Sequence, residues 1–300
     1  MNQEFYQLCE GKPSLMSNPS YSHLTHLDVI HIQGPDAIKF LQGQFTQTVL
    51  NMAVDEIRHG AFCTAQGRAV TNVWLYSPAK DNVYLICHRH SAPILATHLQ
   101  KYIAFFRGTK LIHQPKAYQL IGINTETLDW SGTNNSEAFA LQWDHQRHLI
   151  CYKTGSDQEK TVAQWLQHKQ QIPLADWQAA DIKARKLWLD DQQAGEWIPQ
   201  NFSLDELDGI SFKKGCYIGQ EVIARLHYKG QSKKRLFRLT WKQAPENTQQ
   251  IYQNGKAVGD ILNKAETAEG SVALAIVKVS TVGQPLWLDE NEQFSAQLLQ

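Results

Sequence analysis

Apolar and polar positions alternate over residues 28–32, Asp-Val-Ile-His-Ile, and the β-branched content there predicts a strand. Gly34-Pro35-Asp36 then opens a helix, with proline at its first position, Ile38, Phe40 and Leu41 on its apolar face, and Gly43 near its stop. Residues 59–88 read as antiparallel strands joined by turns at Ala65-Gln66-Gly67-Arg68 and at 77–82. Ser91 caps a helix whose stripe is Ile94, Leu95, Leu99, Tyr102 and Ile103, and Gly108 closes it. Strand-like pieces follow at 109–113 and 117–123. Residues 124–160 are polar, with one strand signal at 149–152; helices are expected over 161–169 and 174–189.

Between about 190 and 218 periodicity is weak and Gly, Pro, Asn and Asp are common. A loop this long in a compact chain is usually functional or disordered. Trp197, Ile198, Phe202, Leu204, Leu207, Ile210 and Phe212 make it too apolar for disorder, so it is expected to pack. After Gly230 the character changes to short strands at 235–241, 259–262, 272–279 and 286–288, split by Asn254-Gly255 and other glycine turns. That predicts a small all-β C-terminal domain.

At 300 residues the chain is long enough for two or three domains. Its 42% hydrophobic and 19% charged content excludes disordered and fibrous classes. Lys+Arg and Asp+Glu balance at 29 each, so any contact with nucleic acid or an anionic surface must be local. No apolar run reaches the roughly 18 residues that span a bilayer, and Met1-Asn2-Gln3-Glu4-Phe5 does not begin a secretory signal. Five cysteines, at 9, 63, 87, 151 and 216, include no C-x-x-C pair, which argues against a disulfide framework or a zinc site. The expectation is a reduced, soluble, cytoplasmic protein without membrane contact.

One segment stands apart: Ser211-Phe-Lys-Lys-Gly-Cys-Tyr-Ile-Gly-Gln-Glu-Val-Ile-Ala-Arg225. From Gly219 the pattern is helical, with Glu221 and Arg225 at i,i+4. Cys216 would then sit in a glycine-flanked turn before a helix start, beside Lys213 and Lys214, where positive charge favours thiolate. A turn cysteine buried in the core is the alternative. Residues 211–238 carry eight Lys and Arg against Glu221 alone, which suits an anionic partner or else a solvated face. Trp177, Trp188 and Trp197 could offer an aromatic slab to a flat ligand. His88 and His90 lack a third ligand, so no metal site is expected.

Lys214-Gly-Cys-Tyr-Ile-Gly-Gln-Glu221 resembles the signature of the YgfZ family, folate-binding relatives of the glycine-cleavage T protein. Gly34-Pro-Asp-Ala-Ile-Lys-Phe-Leu-Gln-Gly-Gln-Phe-Thr46, Cys63-Thr-Ala-Gln-Gly-Arg68, Gly195-Glu-Trp-Ile-Pro-Gln-Asn201 and Gly209-Ile-Ser-Phe-Lys-Lys214 are similar to its other blocks, in the same order. The resemblance implies an α+β, T-protein-like fold: two α+β domains plus a small C-terminal β-barrel around a central channel. The expected units are 1–110 with 171–230, then 111–170, then 231–300. It also implies tetrahydrofolate binding and support of iron–sulfur enzymes or their assembly factors, including an enzyme that thiolates tRNA. Cys216 would be the functional thiol, with Lys214, Tyr217, Gln220, Glu221 and Arg225 around it. Trp177, Leu27 and Trp197 are the residues expected to contact folate.

The chain departs from the wider T-protein pattern in three places. Ile182-Lys183-Ala184-Arg185 stands where those proteins have Ile-Glu-Ala-Gly, and Lys183 cannot accept the hydrogen bonds a pterin donates to that carboxylate, which weakens or rearranges binding. Thr64 and Thr48 stand where acids are usual, which argues against aminomethyl transfer. Two alternatives stay open: a folate-dependent one-carbon (aminomethyl) transferase, and an RNA-binding module, with tRNA contact through the basic 211–238 stretch.

Overall fold

Strand β1 (Ser20–His23) is followed directly by β2 (Leu27–Gln33), whose alternating residues are buried on both faces. Glycine and proline then turn the chain into α1 (Ala37–Gln42), which ends at Gly43. The computed structural model describes residues 19–130, 137–268 and 270–299. Cys9 and the chain start considered for a signal lie outside the described residues.

Strands β3 (Glu56–Cys63), β4 (Ala69–Ala79) and β5 (Asn82–His88) form the meander expected from the pattern. With β2 and β6 (Lys110–Ile112) they make a first sheet of order β3-β4-β5-β2-β6. The turn expected over 77–82 is shorter: β4 runs through Pro78 to Ala79, with its register shifted between Tyr76 and Ala79. Helix α2 (Ala92–Ile103) covers this sheet with Leu95, Leu99 and Ile103. Its Ser91 does not cap the helix, because its hydroxyl donates to the Leu189 carbonyl at 2.6 Å.

The second sheet contains β7 (Tyr118–Asn124), β8 (Ala138–Gln142), β9 (Arg147–Lys153) and β10 (Gln170–Gln171), in the order β10-β1-β7-β9-β8. Ser20–His23 therefore pairs with this sheet, opposite Ile121–Asn124, rather than with the first. Helix α3 (Asp157–Leu166) packs Val162 and Leu166 onto it. Gly122 leaves room for Trp177, since a Cβ there would lie 2.5 Å from the indole ring.

Helix α4 (Leu174–Lys183) stops six residues before the end expected from its apolar pattern. Arg185 takes a left-handed conformation, φ 55°, and residues 187–189 continue outside any helix. Two asparagines stitch that piece in place. Asn72 Nδ2 donates to the Leu187 carbonyl at 2.7 Å, and its Oδ1 accepts from the Leu189 amide at 2.9 Å. Asn263 Nδ2 donates to the Trp188 carbonyl at 2.8 Å, and its Oδ1 accepts from the Trp188 amide at 2.8 Å. The long segment that follows is packed as its composition predicts, with Phe202, Leu204 and Ile210 buried.

After α5 (Gln220–Lys229), strands β11 (Lys234–Trp241), β12 (Gln250–Gln253), β13 (Lys256–Thr267), β14 (Gly270–Lys278), β15 (Leu286–Trp287) and β16 (Ser295–Leu298) form a closed barrel. The hairpin between β12 and β13 turns on Asn254 and Gly255, both at positive φ (50° and 68°), as an Asn-Gly pair favours. Pairing of Leu239 with Leu298 closes the ring. Among the described residues no helix is long and apolar enough to cross a membrane.

Candidate functional site

A cavity of about 190 Å³ opens where the two sheets and the barrel meet. His26, from the loop between β1 and β2, and His88, at the end of β5, form one side. Gln178, Asp181 and Ile182 of α4, with Lys186 and Trp188, form the second, and Leu262, Asn263 and Lys264 of β13 form the third. A bulge between Ile261 and Asn263 re-aims the barrel strand at this point.

Asp181 is the electrostatic centre of the cavity wall, and it is 1% exposed. Its Oδ1 accepts from Trp143 Nε1 at 2.9 Å and lies 2.8 Å from Arg147 Nη1; its Oδ2 accepts from Trp188 Nε1 at 3.2 Å. Arg147 Nε also donates to Asp144 at 2.8 Å, and its guanidinium sits 4.6 Å from the centre of the Trp177 ring. Lys186 donates to the Trp143 carbonyl at 2.9 Å and lies over the rings of Trp74 and Trp143, at 4.1 and 4.2 Å. Burial lowers the Lys186 ammonium to a pKa of about 8, against the raising effect of Asp181 and Asp144. Two cations and two carboxylates thus meet at this side of the cavity, Asp181 and Lys186 lining it and Arg147 and Asp144 standing behind them.

The imidazoles opposite are unsatisfied. Neither ring nitrogen of His26 finds a partner among the described residues, nor does Nδ1 of His88. Burial holds His26 at a pKa of about 3, helped by His88 and Arg89, and lowers His88 as well. His59, stacked on Trp74 at 4.4 Å, is also held at about 3 by burial and by Lys186.

These histidines make stability depend on pH. Below about 6.5 the unfolded chain binds protons that the folded chain refuses until about 3. The stability they contribute is complete above 6.5 and is lost as pH falls through that window. Each group contributes a slope of about 1.4 kcal/mol per pH unit where the proton difference is complete. In urea titrations between pH 6.5 and 3, the His59→Asn variant should lose stability less steeply than the parent; equal slopes would show that His59 does not carry this dependence.

Asp181 escaped the sequence reading, although it lies one helical turn after Trp177 on the buried stripe of α4, where a charged residue is itself a signal. The residue that the sequence marks on this helix is Lys183. It is exposed and absent from the cavity wall, because helical periodicity turns position 183 outward while 181 and 182 face in. Of the expected folate contacts, Trp177 and Leu27 share one core cluster and Trp197 lies apart from them. Trp177 is buried between Gly122 and Arg147, Leu27 is core, and Trp197 lines a different groove, beneath the Lys234 ammonium at 4.5 Å. His88 and His90 approach at 5.2 Å, and no group of three potential metal ligands forms among the described residues.

Cys216 is exposed, whereas Cys63, Cys87 and Cys151 are buried with their thiols pushed up by burial. It lines neither the central cavity nor the groove beside Trp197. Its loop is held from inside. Lys214 Nζ donates to the carbonyls of Phe45 and Gln47, at 2.6 and 3.0 Å, and burial lowers its pKa to about 7. The pair of ammoniums expected around the sulfur is therefore divided, with Lys213 exposed and Lys214 turned inward. Tyr217 is buried against Ile223 and Cys63 in one core cluster, and Gln220 opens α5. Glu221 and Arg225 are exposed and make no ion pair with each other among the described residues.

Gly219 fixes the geometry of this loop. It has φ +84°, and a Cβ there would meet the Thr64 carbonyl at 2.6 Å and Gly67 Cα at 2.9 Å. Gly67 (φ +72°) in turn has no room for a Cβ against Val222. The Cys63–Arg68 turn and the start of α5 are thus pressed backbone to backbone, which accounts for the glycines in two separate sequence blocks.

Over 99% of this chain and 95% of the relative, the sequence is 29% identical to the tRNA-modifying protein YgfZ of Aliivibrio fischeri. The chain belongs to the YgfZ family. An uncharacterized protein of Haemophilus influenzae is 32% identical over 71% of each chain. No family model matches. Among solved structures, the glycine cleavage system aminomethyltransferase T of Bartonella henselae superposes with a TM-score of 0.77, covering 94% of this chain and 85% of that one at 13% identity. This YgfZ chain therefore has the T-protein-like fold of two α+β layers and a C-terminal barrel that its sequence blocks imply.

Proposed function

We propose that this chain is an accessory protein of tRNA modification that binds a reduced folate in the central cavity and uses Cys216 as its functional thiol in support of iron–sulfur enzymes. The make-up of the cavity wall carries the folate part. A pterin is flat and has donors and acceptors along its edges. Trp188 offers an aromatic wall, Asp181 a carboxylate, and His26 and His88 Nδ1 neutral nitrogens that lack partners among the described residues. Those residues fit the group, and Lys264 at the rim suits a carboxylate tail. Bound folate would supply one-carbon carriage; this chain's residues bind it, orient it and exclude water.

The thiol part rests on the exposure of Cys216 and on the rigid loop that presents it. Cys216 does not line the cavity, so the two activities can be tested apart. Tetrahydrofolate should quench tryptophan fluorescence saturably, and Trp188→Phe should reduce that quenching. Cys216→Ala should quench like the parent yet fail to restore thiolated tRNA in a strain lacking the protein. A flat titration removes folate from the proposal, and full rescue by Cys216→Ala removes the thiol.

A further inference from the structure

The basic stretch over 211–238 does not act as one face. Arg235 is paired with Asp205 at 2.6 Å, Lys234 with Asp260 at 3.5 Å, Arg238 donates to the Lys183 carbonyl at 2.7 Å, and Lys214 points inward. Lys213, Arg225, Lys229 and Lys233 are left exposed, with no ion pair among the described residues. Beside them is an open set of rings. Phe212 stacks on His227 with centroids 3.6 Å apart and planes 11° from parallel, and Tyr228 lies edge-on to both, at 6.3 and 4.8 Å. Tyr228 is 68% exposed, and His227 is exposed as well.

A ring stack that is half-buried at Phe212, where it leans on the core, and exposed at His227 and Tyr228, flanked by free cations, has the chemistry of single-stranded nucleic-acid recognition. Bases stack on aromatic faces whatever their sequence, and ammonium and guanidinium groups take the phosphates. A duplex hides its base faces, so such a platform prefers an unpaired loop. Phe212 is four residues from Cys216, and a chain that short spans at most about 14 Å.

We propose that Phe212, His227 and Tyr228, with Lys213, Arg225 and Lys229, form a platform that seats an unpaired base of an RNA loop beside Cys216. The inference rests on the tRNA-directed reading above but needs neither folate nor the thiol. It names RNA as the occupant because the rings and the free charges lie together, whereas the acidic groove at Trp197 lies elsewhere.

The test is fluorescence anisotropy with a short labelled single-stranded RNA and with the duplex it forms with its complement. The single strand should bind more tightly. Tyr228→Ala should weaken it about tenfold, the loss of one stacked base, while Tyr228→Phe should bind like the parent. The double variant Lys213→Gln, Lys229→Gln should lower the slope of log affinity against log salt by about 1.4. Cys216→Ala should bind RNA unchanged, so failure here with intact folate quenching fells this proposal alone. Equal affinity for duplex and single strand, indifference to Tyr228→Ala, or a flat RNA titration with ring-dependent retention of a purified iron–sulfur enzyme would each overturn it.

Discussion

Replacing Asp181 with alanine is expected to destabilise the protein by about 3–5 kcal/mol, the cost of breaking a buried ion pair from one side. The carboxylate accepts from two indole N–H groups and faces Arg147, all of them buried. Its removal leaves Trp143, Trp188 and Arg147 short of a partner at once and leaves two cations facing Asp144 alone. Lys186, already lowered to about 8, loses a group that raises it and should be lowered further. For a chain of this size the thermal midpoint should fall by on the order of 10 °C. Lys183→Ala, two residues on and exposed, should change stability by no more than about 0.5 kcal/mol. If the two variants melt alike, the carboxylate is not the closed, desolvated centre described.

The second large effect is expected at Gly219. Alanine there would have to hold a left-handed conformation, at about 1–2 kcal/mol, and overlap backbone atoms of Thr64 and Gly67 that cannot turn aside, at a further 1–3 kcal/mol or so. A loss of about 3 kcal/mol follows, and the loop before α5 must shift. The reaction rate of Cys216 with a thiol reagent should therefore change along with the melting temperature. Gly215, on the other side of Cys216, has no positive φ, and a Cβ at that position would meet nothing within 4 Å, so Gly215→Ala should melt like the parent. The sequence run treats the two glycines alike. Equal effects at both sites would show that the turn and the helix are not pressed together as described.

Much of the fold was legible because local pattern and tertiary role agree. The β2 alternation, the Gly43 stop, the 65–68 turn and the Asn254-Gly255 hairpin are set by residues adjacent in the chain. The end of α4 was not, since Leu187, Trp188 and Leu189 continue an apolar pattern that helix and strand share. What holds them out of the helix is the side chains of Asn72 and Asn263, more than seventy residues away. Strand β8 was missed for the opposite reason: five residues with weak alternation lie in polar surroundings.

The site divides in the same way. The run around Cys216 marked an exposed thiol, but the direction taken by Lys214 depends on carbonyls 167 and 169 residues away. The cavity is drawn from four separate stretches of chain, so no short motif contains it.

One wall of that cavity, Leu262 to Lys264, belongs to the barrel. A molecule that fills the space must therefore fasten the barrel to the rest of the chain, and anything that loosens the barrel must release the molecule by the same factor. Slower protease cleavage around Gly230 in the presence of the occupant would be the outward sign of this reciprocity.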